Sequence, residues 1–336
     1  MARTAVVLMN LGGPDRLEDV QPFLFNLFSD PAIIRLPAFL RLPLAKVISS
    51  RRARVARSIY SRLGGGSPLL TNTEAQARAL EYTLGPDHRC FVAMRYWHPS
   101  SVETAREVAE WAPEKIVCLP LYPQFSTTTT ASSLASWRAA ARSAGIAHPG
   151  CIVCCYPADD GFAETVAELI RPVLDSADDF ERPPRLLLTA HGLPMTIVRA
   201  GDPYPGQVET TAAAIIRALK RPEIDWQVCY QSRVGPMKWI GPAIDEEIRR
   251  AGREQIPLVV MPISFVSEHS ETLVELDLEY RDLAQASGVP AYYRIPTVGT
   301  EPRFIQSLAS LVERASKDDR VGSCPSRRSW CALAGV

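Results

Sequence analysis

His191 closes an apolar run, Leu186-Leu187-Leu188-Thr189-Ala190-His191-Gly192-Leu193-Pro194, and about eighty residues later Glu271, Glu275 and Glu279 follow one another at intervals of four. On an α-helix that spacing stacks three carboxylates on one face. An imidazole changes charge near neutral pH and ligates borderline metals, while carboxylates hold hard divalent ions. A histidine facing a row of acids is therefore equipped to handle protons and a metal ion together. Like charges four apart repel by roughly a few tenths of a kcal/mol per pair, and no Lys or Arg stands between Glu268 and Glu279 to offset this. The uncompensated row points to a relay for protons or hydrated cations, with Leu273, Leu276 and Tyr280 marking the apolar side of the helix. His269 is two residues from Glu271, about 200° around an ideal helix, which makes it a supporting group rather than a co-ligand. Taken singly, His191 also reads as a hydrogen-bonded strand-end histidine, and the acidic row as a solvated helix face.

The elements that must carry these groups alternate. Apolar runs with strand character recur at residues 5–11, 89–96, 115–121 and 151–156, separated by helical periodicity at 73–83, 101–111 and 131–144. A long helical segment at 161–176 is followed by strand-like runs at 185–191, 225–231, 256–265 and 291–295, and by a last helical stretch at 302–316. Such alternation predicts an α/β protein of two Rossmann-like domains with parallel sheets. The first run of each half ends in a Gly/Pro turn, Asn10-Leu11-Gly12-Gly13-Pro14 and Ala190-His191-Gly192-Leu193-Pro194. Ligands of open α/β sheets bind beyond the C-terminal ends of strands, where both turns lie. Neither turn has the spacing of a dinucleotide fingerprint. Gly64-Gly65-Gly66-Ser67-Pro68 follows a basic segment (Arg51, Arg52, Arg54, Arg57) and lacks the Lys-Ser/Thr of a phosphate loop.

A chain of 336 residues exceeds what one hydrophobic core usually organises, in line with two halves. Its 37 basic and 37 acidic side chains cancel, which removes any general pull toward nucleic acid or an anionic surface and leaves recognition to local features. Residues 5–9, preceded by a single Arg3, read as a first strand rather than a signal-peptide core. No run reaches the roughly 18 apolar residues of a membrane span, so a cytoplasmic location is expected. Residues 23–28 and 33–48 are unusually apolar, interrupted by Arg35, Pro37, Arg41, Pro43 and Lys46, and buried helix faces ordinarily explain such a stretch. Eight cysteines without a secretory signal read as reduced thiols or metal ligands. Cys90, Cys118 and Cys229 fall in or beside strand-like runs, as buried thiols do.

In chain order, the two Gly/Pro turns, Tyr60-Ser61-Arg62-Leu63-Gly64-Gly65-Gly66-Ser67-Pro68, Met94-Arg95-Tyr96-Trp97-His98-Pro99, Pro120-Leu121-Tyr122-Pro123-Gln124, Gly201-Asp202-Pro203-Tyr204-Pro205, Gly235-Pro236-Met237-Lys238-Trp239 and the acidic helix resemble the ferrochelatase family over about residues 5–315. The resemblance implies two similar Rossmann-like domains, each with a four-stranded parallel sheet flanked by helices. It divides the chain into 1–157, an N-terminal domain with a lip around a porphyrin cleft; 158–178, a crossover helix; 179–300, a C-terminal domain with the metal site; 301–317, a helix packing back on the first domain; and 318–336, a cysteine-containing tail. The implied activity is insertion of ferrous iron, as substrate, into protoporphyrin IX in the last step of haem synthesis, without nucleotide or nucleic acid.

That reaction strips water from the ion, removes two pyrrole protons and bends a stiff ring. The resemblance places the metal and the catalysis at His191 and Glu271; His191 suits the proton acceptor, and which of the two meets iron first stays open. Glu275 and Glu279 would form the proton or cation path. Leu11, Tyr60, Tyr96 and Trp239 match faces for the porphyrin, Arg51, Arg52 and Ser67 match partners for its propionates, and Arg95 lies near the ring. The apolar stretch matches a lip able to rest peripherally on the inner face of a membrane. A chelatase for coproporphyrin or cobalt is the rival enzyme, and a non-catalytic tetrapyrrole or metal binder on the same scaffold is the rival of another class. No feature of the pattern specifies an oligomeric state.

Members of the family differ over a [2Fe-2S] cluster, which takes four thiolates. Cys151, Cys155, Cys324 and Cys331 could supply them, with Cys151 and Cys155 on one face of a strand. The three closely spaced tail cysteines of the best-known animal pattern are not met, and the cluster stays open.

Overall fold

The computed structural model describes residues 3–177, 180–235 and 237–317. They fall into two compact units, one of the described residues up to Cys155 together with those from Leu308, the other of Tyr156–Ser307. In the first, β1 (Thr4–Asn10), β2 (His88–Met94), β3 (Lys115–Pro120) and β4 (Cys151–Ile152) form a parallel sheet in the order β2-β1-β3-β4. In the second, β5 (Arg185–His191), β6 (Trp226–Gln231), β7 (Leu258–Pro262) and β8 (Tyr292–Arg294) repeat it as β6-β5-β7-β8. The expected pair of four-stranded parallel sheets flanked by helices is what forms.

Each sheet is seeded by an interior strand. All seven residues of β1 are buried, the continuous apolar character of a parallel strand covered on both faces. From β1 the chain moves to one edge and then returns on the other side, so β1 and β3, like β5 and β7, flank a switch point. His191 ends β5, and the acidic segment follows β7, so both arrive at the same end of one sheet.

The first unit carries α1 (Val20–Phe28), α2 (Ala38–Ser61), α3 (Leu69–Leu84), α4 (Ser101–Trp111) and α5 (Thr130–Ser143). The second carries α6 (Asp160–Ala177), α7 (Met195–Arg199), α8 (Tyr204–Leu219), α9 (Ile244–Glu254) and α10 (Tyr280–Ala286), and α11 (Pro302–Ser316) is divided between the units at Leu308. α4 begins where it does because Ser100 and Glu103 form a capping box, and it buries Thr104, Ala105 and Val108 on one face.

Three expectations are corrected. The 151–156 run is a strand only over Cys151–Ile152, and residues 152–156 are all buried, so Cys151 and Cys155 do not share a strand face. The apolar stretch is largely uncovered along α2: its buried stripe is the small-residue series Ala45, Ser49 and Ala53, with Tyr60, while Phe39 (75% exposed), Leu40, Leu42, Leu44 and Val47 face out. Among the described residues no helix is long and apolar enough to cross a membrane.

The third concerns the acidic segment. Glu271–Glu279 is a π-helix, in which the Tyr280 N–H bonds the Glu275 carbonyl five residues back, and it runs directly into α10. Leu276 anchors it in the core with Leu187, Cys229, Ile248 and Val260, a burial worth about 1.5–3 kcal/mol.

Candidate active site

β5 delivers His191 to the end of the sheet with its side chain 39% exposed. Gly192 must follow: a Cβ there would meet the Gln231 carbonyl oxygen at 2.9 Å and the Trp239 ring at 3.2 Å. His191 Nδ1 lies 2.6 Å from the Gly192 carbonyl. A carbonyl only accepts, so Nδ1 carries the hydrogen and Nε2 presents its lone pair. The Tyr204 hydroxyl lies within reach of the His191 carbonyl (3.1 Å) and Ser264 Oγ (3.0 Å), joining the ends of β5 and β7.

Glu271 opens the π-helix with Oε2 3.6 Å from His191 Nε2 and 3.6 Å from His269 Nε2. Both separations exceed hydrogen-bond length, so the carboxylate sits between two imidazoles as a charge, not as a bonded partner. His269 is not on the helix, as the 200° argument assumed; it precedes it, with its backbone tied to Thr272 Oγ1 at 3.0 Å. Its side chain is 10% exposed, with the ring against Phe265, and its Nδ1 has no hydrogen-bond partner among the described residues. Burial alone would push the Glu271 carboxyl up, but the facing His191 and His269 outweigh it and hold the group below the usual glutamate range.

Glu275 is the opposite case. Its Oε2 accepts from Ser232 Oγ (2.7 Å) and Gln231 Nε2 (3.2 Å), yet burial and the neighbouring Glu271 charge push its carboxyl up to about 7. Gln231 also donates to the Glu271 carbonyl (2.9 Å) and accepts from Thr189 Oγ1 (3.1 Å), linking β5, β6 and the π-helix. Ser232 adopts φ 60°, a left-handed conformation that costs a serine about 1 kcal/mol or more and turns its hydroxyl to Glu275. Glu279 is exposed, so the row runs from a part-buried anion, through a carboxyl held near neutrality, to solvent.

A carboxyl raised in the folded state keeps its proton where the unfolded chain has lost it, so stability falls as pH climbs from the ordinary glutamate range through about 7. Glu275→Gln is therefore expected to stabilise the protein at about pH 8 by on the order of 1–3 kcal/mol and to have little effect at about pH 4.5. Thermal melts at the two pH values measure it.

Trp239 is brought beside His191 through Gly192 and pairs with Pro194 across a short bridge. The other porphyrin candidates belong to the first unit. Leu11, Tyr60 (8% exposed) and Tyr96 (2%) pack in one apolar cluster with Val20, Phe23 and Trp97. Tyr96 OH and Arg95 Nη2 both reach Asp30 Oδ2 at 2.7 Å, Ser132 donates to the same oxygen, and the Arg95 guanidinium lies over the Tyr96 ring. Much of the Arg95 charge is thereby met inside the protein. Arg51 and Arg52 are exposed on α2, with Arg52 over Phe28. Ser67 packs on Gly13, where a Cβ would meet its Oγ at 2.5 Å.

Cys155 is 3% exposed in the apolar core with Cys154 and Trp137, and Cys151 is half-buried on the edge strand β4. No group of three or more His, Cys, Asp or Glu converges among the described residues, and Cys324 and Cys331 lie outside them. Reading the sequence missed Thr189, Gln231, Ser232 and Tyr204 as partners in the site. Gln231 ends β6 with Ser232 next as His191 ends β5 with Gly192 next, the one signal that marked them.

Comparison with known proteins identifies the family and the fold. A sequence model described as Ferrochelatase matches residues 3–316. A ferrochelatase of Caulobacter vibrioides is 53% identical over 328 residues, covering 96% of this chain and 92% of that protein. One of Phenylobacterium zucineum is 54% identical over 340 residues, covering 99% and 96%. Among solved structures, SirB from Bacillus subtilis with Fe3+ superposes with a TM-score of 0.55 at 12% identity, over 94% of this chain and 96% of that one. CbiX, titled the terminal enzyme for biosynthesis of sirohaem in denitrifying bacteria, gives 0.53 at 14%, over 93% and 99%. At such identities these two speak for the fold alone. The extent of the family match and the identity to its members over nearly the whole length establish that the chain belongs to the ferrochelatase family.

Proposed function

We propose that this protein inserts ferrous iron into protoporphyrin IX to form haem, with His191 and Glu271 as the metal-handling pair. The observation that carries the proposal is the Glu271 carboxylate set 3.6 Å from the His191 lone pair. Two donors each about 2.1 Å from an ion and that far apart open an angle of roughly 120° at it, so one divalent ion can meet both without rearrangement. The anion holds the ion as its water leaves. As the ion passes to the ring, the His191 Nε2 lone pair that it leaves accepts one pyrrole proton, and Glu275, poised near neutrality beside Glu271, takes the second onward to exposed Glu279.

By the family's pattern Leu11, Tyr60, Tyr96 and Trp239 suit the porphyrin faces, Arg51, Arg52 and Ser67 its propionates, and Arg95 the neighbourhood of the ring; within the first unit Tyr60 and Tyr96 pack with Leu11. A [2Fe-2S] cluster would need Cys324 and Cys331; the chemistry above uses none, and dithionite bleaching of visible absorption in anaerobically prepared protein would reveal one.

Mixing protein, protoporphyrin and ferrous iron anaerobically tests the proposal: conversion to haem bands supports it, and binding without conversion favours a carrier. Faster conversion of coproporphyrin, or of cobalt, would favour the rival chelatases.

The outward row on α2, with Arg41, Lys46 and Arg51 alongside, suits peripheral contact with the inner face of a membrane, as a lipid-partitioning substrate would favour, in an otherwise cytoplasmic protein. Phe39→Ser with Leu40→Ser is expected to weaken binding to anionic vesicles at least roughly tenfold. Vesicle sedimentation measures it, and equal binding by the double variant contradicts it.

A further inference from the structure

A π-helix is rare and appears mostly as a single turn, so nine residues of it need support from outside the helix. The edge strand β8 supplies it. The Arg294 side chain, 9% exposed, reaches two carboxylates: Nη1 lies 2.5 Å from Glu268 Oε1, just ahead of His269, and Nε lies 2.7 Å from Asp277 Oδ1 inside the π-helix, with Nη2 on Asp277 Oδ2. Glu268 Oε1 also accepts from the Thr297 N–H at 2.9 Å. From the same strand, the Tyr292 hydroxyl donates to the Leu276 carbonyl at 2.9 Å, near the junction where the π-helix passes into α10 and the hydrogen-bond ladder changes register.

We propose that Arg294 is a positioning residue for metal insertion: by binding Glu268 and Asp277 at once, it fixes the π register of the intervening segment and so the places of His269, Glu271 and Glu275. The inference rests on Glu271 being the metal-side group. Arg294 touches neither His191 nor Glu271. Its fork fits the Asp277 carboxylate bidentately and leaves a third leg for Glu268, a combination a lysine ammonium cannot reproduce. Winding residues 271–277 as an α-helix would change both rise and rotation between the two carboxylates, so Arg294 could not keep both, and Glu271 would leave its place between the imidazoles. A shift of that kind is costly, since a misplacement of about 1 Å is worth roughly 10²-fold in rate.

The test uses the full chain with Asp277→Asn, which weakens one leg of the clamp without altering volume, and Arg294→Lys, which keeps the charge. Both are expected to bind porphyrin with unchanged KM while kcat per porphyrin-binding site falls roughly 10- to 10²-fold. Crystals of Asp277→Asn are expected to show α-type bonding within 271–279. A loss of fold alone would lower the number of binding sites and leave kcat per site untouched. Wild-type kcat per site in Asp277→Asn overturns the proposal, and this variant decides if Arg294→Lys does not fold. Glu271→Gln run in parallel separates the two levels. Full activity there removes the reading on which the inference rests, whereas an inactive Glu271→Gln beside a fully active Asp277→Asn removes the positioning role alone.

Discussion

Glutamine in place of Glu271 is expected to lower kcat for iron insertion roughly 10³-fold, within the range seen for removing a catalytic acid or base, with porphyrin affinity unchanged. The substitution preserves volume and removes the charge. Glu271 Oε2 is 3.6 Å from each of two imidazoles, and a neutral amide there is a weak partner for a divalent ion. Because the imidazoles hold the carboxyl below the usual glutamate range, Glu271 stays anionic through the acid side of the working pH range. The same shift has a stability signature. A lowered carboxyl contributes stability that is fully present above the unfolded-state value and is lost as pH falls through the folded-state value. Glu271→Gln should therefore flatten the acid limb of the stability curve as well as slow turnover, and anaerobic steady-state assays with acid melts measure both.

His191→Ala is expected to cost roughly 10² to 10⁴ in kcat, partly restored by added imidazole. The 39% exposed side chain leaves room for the small base, and the Gly192 carbonyl that fixes the tautomer remains. Rescue should grow with pH as free imidazole loses its proton, because the role calls for a lone pair. Absence of rescue at any pH, with the variant folded and binding porphyrin, would move the proton-accepting role elsewhere.

Much of this site is legible in the sequence. β5 has the bounds its apolar run indicates, 185–191, and α4 the bounds of its helical stretch, 101–111, because both are set by local pattern. Placing His191 and the acidic segment at one sheet end follows from strand alternation and the switch point. What is not legible depends on distant contacts. The π register of Glu271–Glu279 is supported by Arg294 and Tyr292 on β8, and with an α-helical rotation in its place His269 was set on the far side when it lies against Glu271. The hydroxyl of Ser232 reaches Glu275 only because its φ is 60°, which no residue preference announces. β4 pairs with β3 over two residues alone, which its apolar run does not announce, and the face argument for Cys151 and Cys155 goes with it. The apolar row on α2 reads as core from composition, yet the small side chains of Ala45, Ser49 and Ala53 take the inner face.

The most direct measurement is the visible spectrum of protoporphyrin IX mixed anaerobically with ferrous iron and either the wild-type chain or Glu271→Gln. Wild-type protein should convert the porphyrin bands to those of haem with many turnovers, while Glu271→Gln binds the porphyrin and leaves its bands in place. Conversion at equal rates by both would contradict the assignment of metal insertion to Glu271 and His191.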